Sequence, residues 1–266
     1  MKATMKLIFF FSLFILLSSR ISSPNSWIVE HYNSHDIFYK PNDKANIKEY
    51  NIIIEKGIKR VATFFGAPFK DKFDIYIYPN RHLIDSIWQI DWKMPEFKSE
   101  CWMVASGVGS KLDLISPKYW SKESCEHDYN DTLQTQNLIT HELVHVYHGQ
   151  LNQSSDFSDI TGLDWFVEGL AVYVSGQCDS IRLGEIKKAL VDNTIPMDLD
   201  KFWTGNLKYG LSGSLVMFID HKFGRQKLIE LLKFNKKTEL LAKLNIEEQE
   251  LLFGWKQYIE QYKFKR

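Results

Sequence analysis

The chain has 266 residues, of which 44% are hydrophobic, and its 33 basic and 33 acidic residues give a formal net charge of +0. This balance, without a basic tract or a basic motif studded with aromatic residues, argues against nucleic-acid binding. A chain of this length and composition can bury a large core, as one large domain or two packed lobes.

The amino terminus has the three regions of a secretory signal peptide. Basic residues among 1–6 come first, a largely apolar run over 7–17 follows, and small residues within 18–23 suit cleavage. This run is too short to cross a bilayer of about 30 Å as a helix. We predict that residues 1–23 are removed and that the mature chain is exported, either secreted or periplasmic. Contact with the membrane is then limited to the transient signal peptide.

The front half of the mature chain, 24–150, predicts strands and helices in alternation. The expected elements are a hairpin over 27–39 that turns at Asn33-Ser34, a helix over 44–65 that ends at Gly66, a strand over 73–78, a helix over 81–90, and a second hairpin whose arms at 102–105 and 112–116 flank 106–110. The predicted fold class is therefore α+β, with a small mixed sheet and helices in the N-terminal part.

The back half, 151–266, is predicted to form an all-helical C-terminal lobe. After Asp179, apolar residues recur at three- and four-residue spacing near 181–191, 207–223, 227–232 and 246–262. The sequence shows no linker or internal repeat, so we expect 24–266 to be a single domain in which the two lobes flank a cleft.

Export also affects the interpretation of the three cysteines, because an oxidising compartment permits disulfides. Cys101 and Cys125 could pair, which would leave Cys178 free. Three cysteines allow three single pairings, and the sequence does not choose among them.

Residues 141–145 read His-Glu-Leu-Val-His within a segment of helical spacing. A helix repeats about every 3.6 residues, so His141 and His145 share one face and their rings can bind a single cation. Glu142 beside them can take a proton from a water molecule that the metal has acidified. This pentad predicts a zinc helix and a metallohydrolase.

The ends of this helix have signals of their own. Asp131 with Gln134 resembles a capping box at its start, and Gly149 offers a stop at its end. His148 lies one further turn along the helix, and we expect it to be a solvated histidine rather than a ligand.

Residues 164–176 form an apolar helical run in which one carboxylate, Glu168, lies among hydrophobic neighbours. A buried carboxylate needs a cation or strong hydrogen bonds, and a zinc ion held by His141 and His145 supplies the cation. Because a catalytic zinc normally has three protein ligands and one open position, Glu168 is the predicted third ligand. The small Gly169 would allow close helix packing. The alternative is an exposed first-turn Glu that favours the helix dipole.

The pentad and the segment Trp-Phe-Val-Glu-Gly-Leu-Ala at 165–171 together resemble the gluzincin metallopeptidases, in particular the peptidase MA-like branch. The resemblance extends over most of the mature chain. It implies one Zn²⁺ per chain held by His141, His145 and Glu168, with Glu142 as the general base. It also implies that Tyr209, at the start of the segment 209–224, faces the site as an oxyanion donor. The alternative for this tyrosine is a core or rim aromatic residue.

The sequence departs from the gluzincin pattern in two places. Val172 stands four residues after Glu168, where thermolysin-like enzymes have an acidic residue that orients a zinc-binding histidine. Another group must do this, and Asp164 and Asp220 are unranked candidates. No Gly-x-Met-Glu-Asn segment of the kind that holds a substrate amino terminus is present, so exopeptidase action has no support.

The resemblance further implies that one strand of the sheet borders the cleft and pairs with an extended peptide substrate. The candidate for this edge strand is 112–116, with an ordinary inner strand as the equal alternative.

The predicted function is a secreted zinc metallopeptidase that acts on a peptide or protein substrate. In this hypothesis zinc activates water, Glu142 removes its proton, and zinc with Tyr209 stabilises the oxyanion. Two alternatives remain: a catalytically inactive exported protein that binds peptide or protein on a peptidase scaffold, and a zinc hydrolase of a non-peptide amide or ester.

Overall fold

The computed structural model describes residues 26–263; the predicted signal peptide, 1–23, lies outside them. The strands are β1 (Ile28–His31), β2 (His35–Tyr39), β3 (Phe73–Tyr78), β4 (Ala105–Val108) and β5 (Lys111–Ile115). The α-helices are α1 (Ile47–Phe65), α2 (Arg81–Asp91), α3 (Trp120–Glu123), α4 (Thr132–Leu151), α5 (Asp164–Ser175), α6 (Ser180–Val191), α7 (Lys208–Phe223), α8 (Arg225–Leu231), α9 (Lys237–Leu244) and α10 (Glu248–Gln261). The expectation of a mixed α+β fold is confirmed.

The five strands form one mixed sheet in the order β1-β2-β3-β5-β4. The pairs β1–β2 and β4–β5 are antiparallel hairpins, and the pairs β2–β3 and β3–β5 are parallel. The predicted first arm of the second hairpin, 102–105, is wrong in its bounds, because most of β4 lies within the predicted turn 106–110. The candidate edge strand, 112–116, is therefore wrong, because β5 lies between β3 and β4. The edge on this side is β4. The alternative of an inner strand is the right one, and it agrees with the complete burial of Leu112, Leu114 and Ile115.

Helix α1 follows the predicted spacing and contributes one side of the core. Its apolar face buries Ile47, Tyr50, Ile54 and Val61, and the chain leaves it at Gly66, whose φ of 74° is the left-handed conformation that glycine adopts without strain. The helix begins at Ile47 rather than near residue 44. The short 3-10 turn at Pro41–Asp43 occupies the preceding residues.

Helix α4 carries the pentad, and its start agrees with the capping signal. The Asp131 side chain accepts a hydrogen bond of 2.9 Å from the backbone N–H of Gln134. The predicted stop at Gly149 is wrong, since the helix continues to Leu151. Glycine is needed at 149 for a different reason: a Cβ there would lie 2.5 Å from the backbone nitrogen of Gly109 in the β4–β5 turn.

The back half is helical from α6 to α10, as predicted, and no strand occurs after Asp179 in the described chain. One isolated parallel bridge joins Thr161 to Lys236. Helix α9 was not predicted. No helix within residues 26–263 is both long and apolar enough to cross a membrane. That 24–266 is a single domain stays a prediction.

The three cysteines resolve into one pair and one free thiol. Cys101 and Cys125 form a disulfide with a Cα–Cα distance of 5.5 Å. Cys178 is free and partly buried. This is the pairing that the sequence left open among three.

Helices α5 and α7 pack so closely that glycine is required at the contact. A Cβ on Gly169 would lie 2.4 Å from the carbonyl oxygen of Ser212. The expectation that Gly169 permits close helix packing is confirmed. This contact matters for the site, because the neighbouring residue on α5 is Glu168.

Replacing Gly169 by Ala should lower the free energy of unfolding by roughly 1–3 kcal/mol, because α5 must move away from the α7 backbone. Urea unfolding of the purified protein measures this. The matched control is Gly184→Ala on α6, where a Cβ would have nothing within 4 Å and the change should be neutral or slightly stabilising. Equal stability of the two variants would contradict the close contact.

Candidate metal centre

The imidazole rings of two histidines on α4 lie close together. The Nε2 atoms of His141 and His145 lie 3.0 Å apart, and both residues are buried. They are one helical turn apart on the same face, as the spacing predicts.

Helix α5 brings Glu168 to the same point. Its Oε2 atom lies 3.3 Å from Nε2 of His141 and 3.7 Å from Nε2 of His145. Burial raises the pKa of this carboxyl, but the charges and hydrogen bonds of the two histidines outweigh burial and hold the pKa well below its usual range. Glu168 lies in the second turn of α5, so it does not fit the alternative of an exposed first-turn residue.

These three atoms fit a divalent cation. Two ligand atoms of a tetrahedral zinc site with bonds of about 2.0–2.1 Å lie about 3.3 Å apart, close to the three observed separations. All candidate ligand atoms of the group lie within 4.8 Å of one another. When both imidazoles are neutral and their Nε2 lone pairs face this point, they and the carboxylate repel each other, and a cation between them removes the repulsion. That a metal binds here stays a prediction.

The Nδ1 atom of His141, on the side of the ring away from the candidate metal position, contacts a residue that the sequence did not indicate. Oε1 of Gln177 lies 2.8 Å from Nδ1 of His141. Of the two candidates for this role, Asp220 is wrong: its carboxylate accepts a hydrogen bond from Tyr173 and pairs with Arg225. Asp164 lines the cleft, but Gln177 is the residue that contacts His141. No spacing rule leads to Gln177, since it lies in a loop 36 positions after His141.

The outer nitrogen of His145 has a different environment. Its Nδ1 atom is buried and has no hydrogen-bond partner within the described chain. The Phe157 ring lies beside it, with ring centroids 6.1 Å apart. Phe157 has a φ of 60°, which is uncommon for a bulky residue and costs of order 1–3 kcal/mol. The loop between α4 and α5 therefore accepts backbone strain where it places an aromatic ring against a candidate ligand.

The prediction that His148 is solvated is wrong. This residue is only 1% exposed, and its Nε2 atom donates to the carbonyl oxygen of Leu232 over 3.0 Å. Burial lowers the pKa of His148 to about 3, and the charge of His145 adds to the effect, so the imidazole is neutral. The helical lobe covers this face of α4, which helical spacing alone does not show. His148 is a structural residue.

Glu142 lines the same cleft as the three candidate ligands. Burial raises the pKa of its carboxyl to about 7; the negative charge of Glu168 adds to the rise, and His141 and a hydrogen bond from the Gly107 backbone oppose it. Strand β4 approaches so closely here that a Cβ on Gly107 would lie 2.3 Å from the carbonyl oxygen of Glu142. A carboxyl with a pKa near neutrality is suited to proton transfer.

Tyr209 lies in the first turn of α7 and borders the same cleft. Burial raises the pKa of its phenol to about 12, and the charges of Glu168 and Glu142 add to the rise. The phenol is therefore protonated and can donate a hydrogen bond. Its ring also packs edge-on against Trp203, with centroids 5.0 Å apart, so it is an aromatic residue at the rim of the cleft, and its role as an oxyanion donor stays a prediction.

The cleft has a volume of about 340 Å³. Ser106 and Val108 of strand β4 line it, as do Trp203 and Tyr209 of the helical lobe. The candidate ligands His141, His145 and Glu168 also line it. A metal ion there would face an open space large enough for a small part of a substrate.

Comparisons with known proteins add little to this geometry. No family model and no curated protein sequence matches the chain. Among solved structures the chain is similar to native yeast LTA4 hydrolase, with 12% sequence identity and a TM-score of 0.47 over 91% of this chain and 40% of that one. The chain thus spans less than half the length of that protein. A similarity this weak gives no basis for assigning a function. The argument for a function therefore depends on the side chains of the site.

Adding zinc to metal-free protein should raise the melting temperature by roughly 5–10 °C when free zinc is about 100 times its dissociation constant. The reason is that the three converging atoms exist as a site only in the folded state. Differential scanning calorimetry measures the shift, and a chelator should reverse it. His141→Ala and Glu168→Ala should show little or no shift; the same shift in His141→Ala would place the metal elsewhere.

Proposed function

We propose that the protein is an exported zinc-dependent metallopeptidase. The observation that carries this proposal is the convergence of His141, His145 and Glu168 in a cleft that Glu142 also lines. Three protein ligands with an open side are the pattern of a catalytic rather than a structural zinc site. The resemblance to gluzincins at HELVH and at 165–171 supports the same assignment.

Zinc is the favoured metal because the donors are two imidazoles and one carboxylate, although cobalt, nickel and manganese accept the same donors. When bound, zinc would supply Lewis acidity, which polarises a carbonyl group and lowers the pKa of water.

The residues of the chain supply the proton transfers. Glu142 would accept a proton from the attacking water on its carboxylate and then pass it to the leaving nitrogen of the peptide. A hydrogen bond from the Gly107 backbone to that carboxylate would help to orient it. Tyr209 would donate its phenolic proton in a hydrogen bond to the oxygen on which negative charge develops.

The position of β4 suits an extended peptide as the substrate. This strand pairs with β5 on one side only and forms a wall of the cleft beside the candidate ligands. A peptide that adds to such an edge gains regular backbone hydrogen bonds, and its alternate side chains point into the cleft. Export is supported by the disulfide between Cys101 and Cys125, which is typical of oxidising compartments.

Replacing Glu142 by Gln should lower kcat by about 10²–10⁴-fold, because the amide cannot accept the proton. Metal content, measured by elemental analysis, should stay at the wild-type level. The assay is hydrolysis of casein, with a chelator as the control for metal dependence. A Glu142→Gln variant with full activity would refute the assignment.

The same assays on the wild type separate the alternative functions. Protein that binds zinc and cleaves only esters or small amides would favour a hydrolase of non-peptide substrates. Protein that binds zinc and peptide without turnover would favour the inactive scaffold.

Replacing Tyr209 by Phe should lower kcat by about 10²–10³-fold and change KM little, because the hydroxyl acts on charge that develops in the transition state. The packing of the ring against Trp203 is kept, so the melting temperature should not change. Steady-state kinetics on a fluorogenic peptide measure both constants. A variant with unchanged kcat would leave Tyr209 as a rim aromatic residue without a role in the reaction.

A further inference from the structure

We propose that Gln177 is a positioning residue that fixes the tautomer of His141 and thereby sets the affinity of the site for its metal. The proposal rests on the metal site of the proposed function. Thermolysin-like enzymes have an acidic residue where this chain has Val172, and the Val172 side chain faces Gly213 on α7. Gln177 takes the role of that acidic residue.

The chemistry of the contact determines the direction of the hydrogen bond. An amide oxygen can only accept, so the Nδ1 atom of His141, 2.8 Å from Gln177 Oε1, must carry the proton. Its Nε2 atom is then left with a lone pair, and this is the atom that faces Glu168 and His145. The contact therefore holds the imidazole in the one neutral tautomer that can bind a metal at this point.

The backbone that leads to Gln177 is itself fixed by the end of α5. The chain leaves the helix at Gly176, with a φ of 90°. A Cβ at this residue would lie 2.6 Å from Nη2 of Arg60. The Arg60 guanidinium also donates to the carbonyl oxygen of Val174 over 2.7 Å. Glycine is thus required, and the chain turns at one defined residue.

Two further contacts hold residue 177 on either side of its side chain. Its backbone N–H donates to Oγ of Ser175 over 3.4 Å, and its carbonyl oxygen accepts from Nη1 of Arg182 over 2.8 Å. A loop residue with both backbone groups engaged in this way is restricted in its orientation. This is what a residue needs if it is to orient a ligand rather than merely touch it.

The two histidines are therefore supported unequally. His141 has an amide acceptor, whereas Nδ1 of His145 has no partner within the described chain. The orientation of the ligand pair then depends mainly on the single contact from Gln177. A neutral amide also polarises the imidazole less than a carboxylate does, so a glutamate in its place should strengthen His141 as a ligand.

The first test is zinc affinity, measured by competition with a chromophoric chelator. Gln177→Ala should weaken binding about 10–100-fold. Gln177→Glu, which restores an acceptor, should match or exceed the wild-type affinity. Gln249→Ala is the matched control, since Gln249 is an exposed glutamine whose side chain donates to the Met197 carbonyl. It should bind zinc as the wild type does.

The second test uses metal-free protein and does not depend on activity. At alkaline pH, nitrogen NMR of ¹⁵N-labelled histidines should show the Nδ1–H tautomer for His141 in the wild type and its loss in Gln177→Ala. Gln177→Asn, whose amide is one methylene shorter, gives the same test if the alanine variant does not fold. Wild-type zinc affinity in Gln177→Ala, or an unchanged tautomer, overturns the proposal. Failure of the wild type to bind zinc refutes the proposed function, and the tautomer still decides whether Gln177 orients His141.

Discussion

The site depends on the distance between two helices. Nε2 of His141 and of His145 come from α4, and Oε2 of Glu168 comes from α5, so a shift of about 1 Å between the helices would separate the three atoms beyond the reach of one ion. The absence of a side chain at Gly169 lets α7 press against α5 from the other side. Packing at backbone distance leaves little freedom for the carboxylate to move away from the histidines.

The same principle governs the approach of the sheet to α4. Strand β4 can contact this helix at Gly107, and the β4–β5 turn can contact it where Gly109 meets Gly149, because no Cβ intervenes. The close approach places the Gly107 N–H on the carboxylate of Glu142. The edge strand thus lines the cleft and buries the proposed general base, which raises the pKa of Glu142, while the hydrogen bond from the Gly107 backbone partly opposes that rise.

The groups around the ligands come from loops and from the first turn of a helix. Gln177 follows the end of α5, Phe157 lies in the connection from α4 to α5, and Tyr209 begins α7. Two of them are held by neighbouring side chains: Arg182 donates to the Gln177 carbonyl, and the Trp203 ring packs against Tyr209. Helices carry the candidate ligands, and the shorter segments around them supply an acceptor for His141, an aromatic ring beside His145 and a candidate hydrogen-bond donor, Tyr209.

The sequence by itself determined whatever depends on local periodicity and capping. It gave the α+β class, most helix positions, the Asp131 cap and the three candidate ligands, because helical spacing places residues 141 and 145 on one face and isolates Glu168 among apolar neighbours. Only the tertiary structure decided that β4 rather than 112–116 is the edge, that His148 is buried, and that Gln177 rather than Asp220 contacts His141. Those outcomes depend on pairings between residues far apart in the chain, and spacing within one segment carries no information about them.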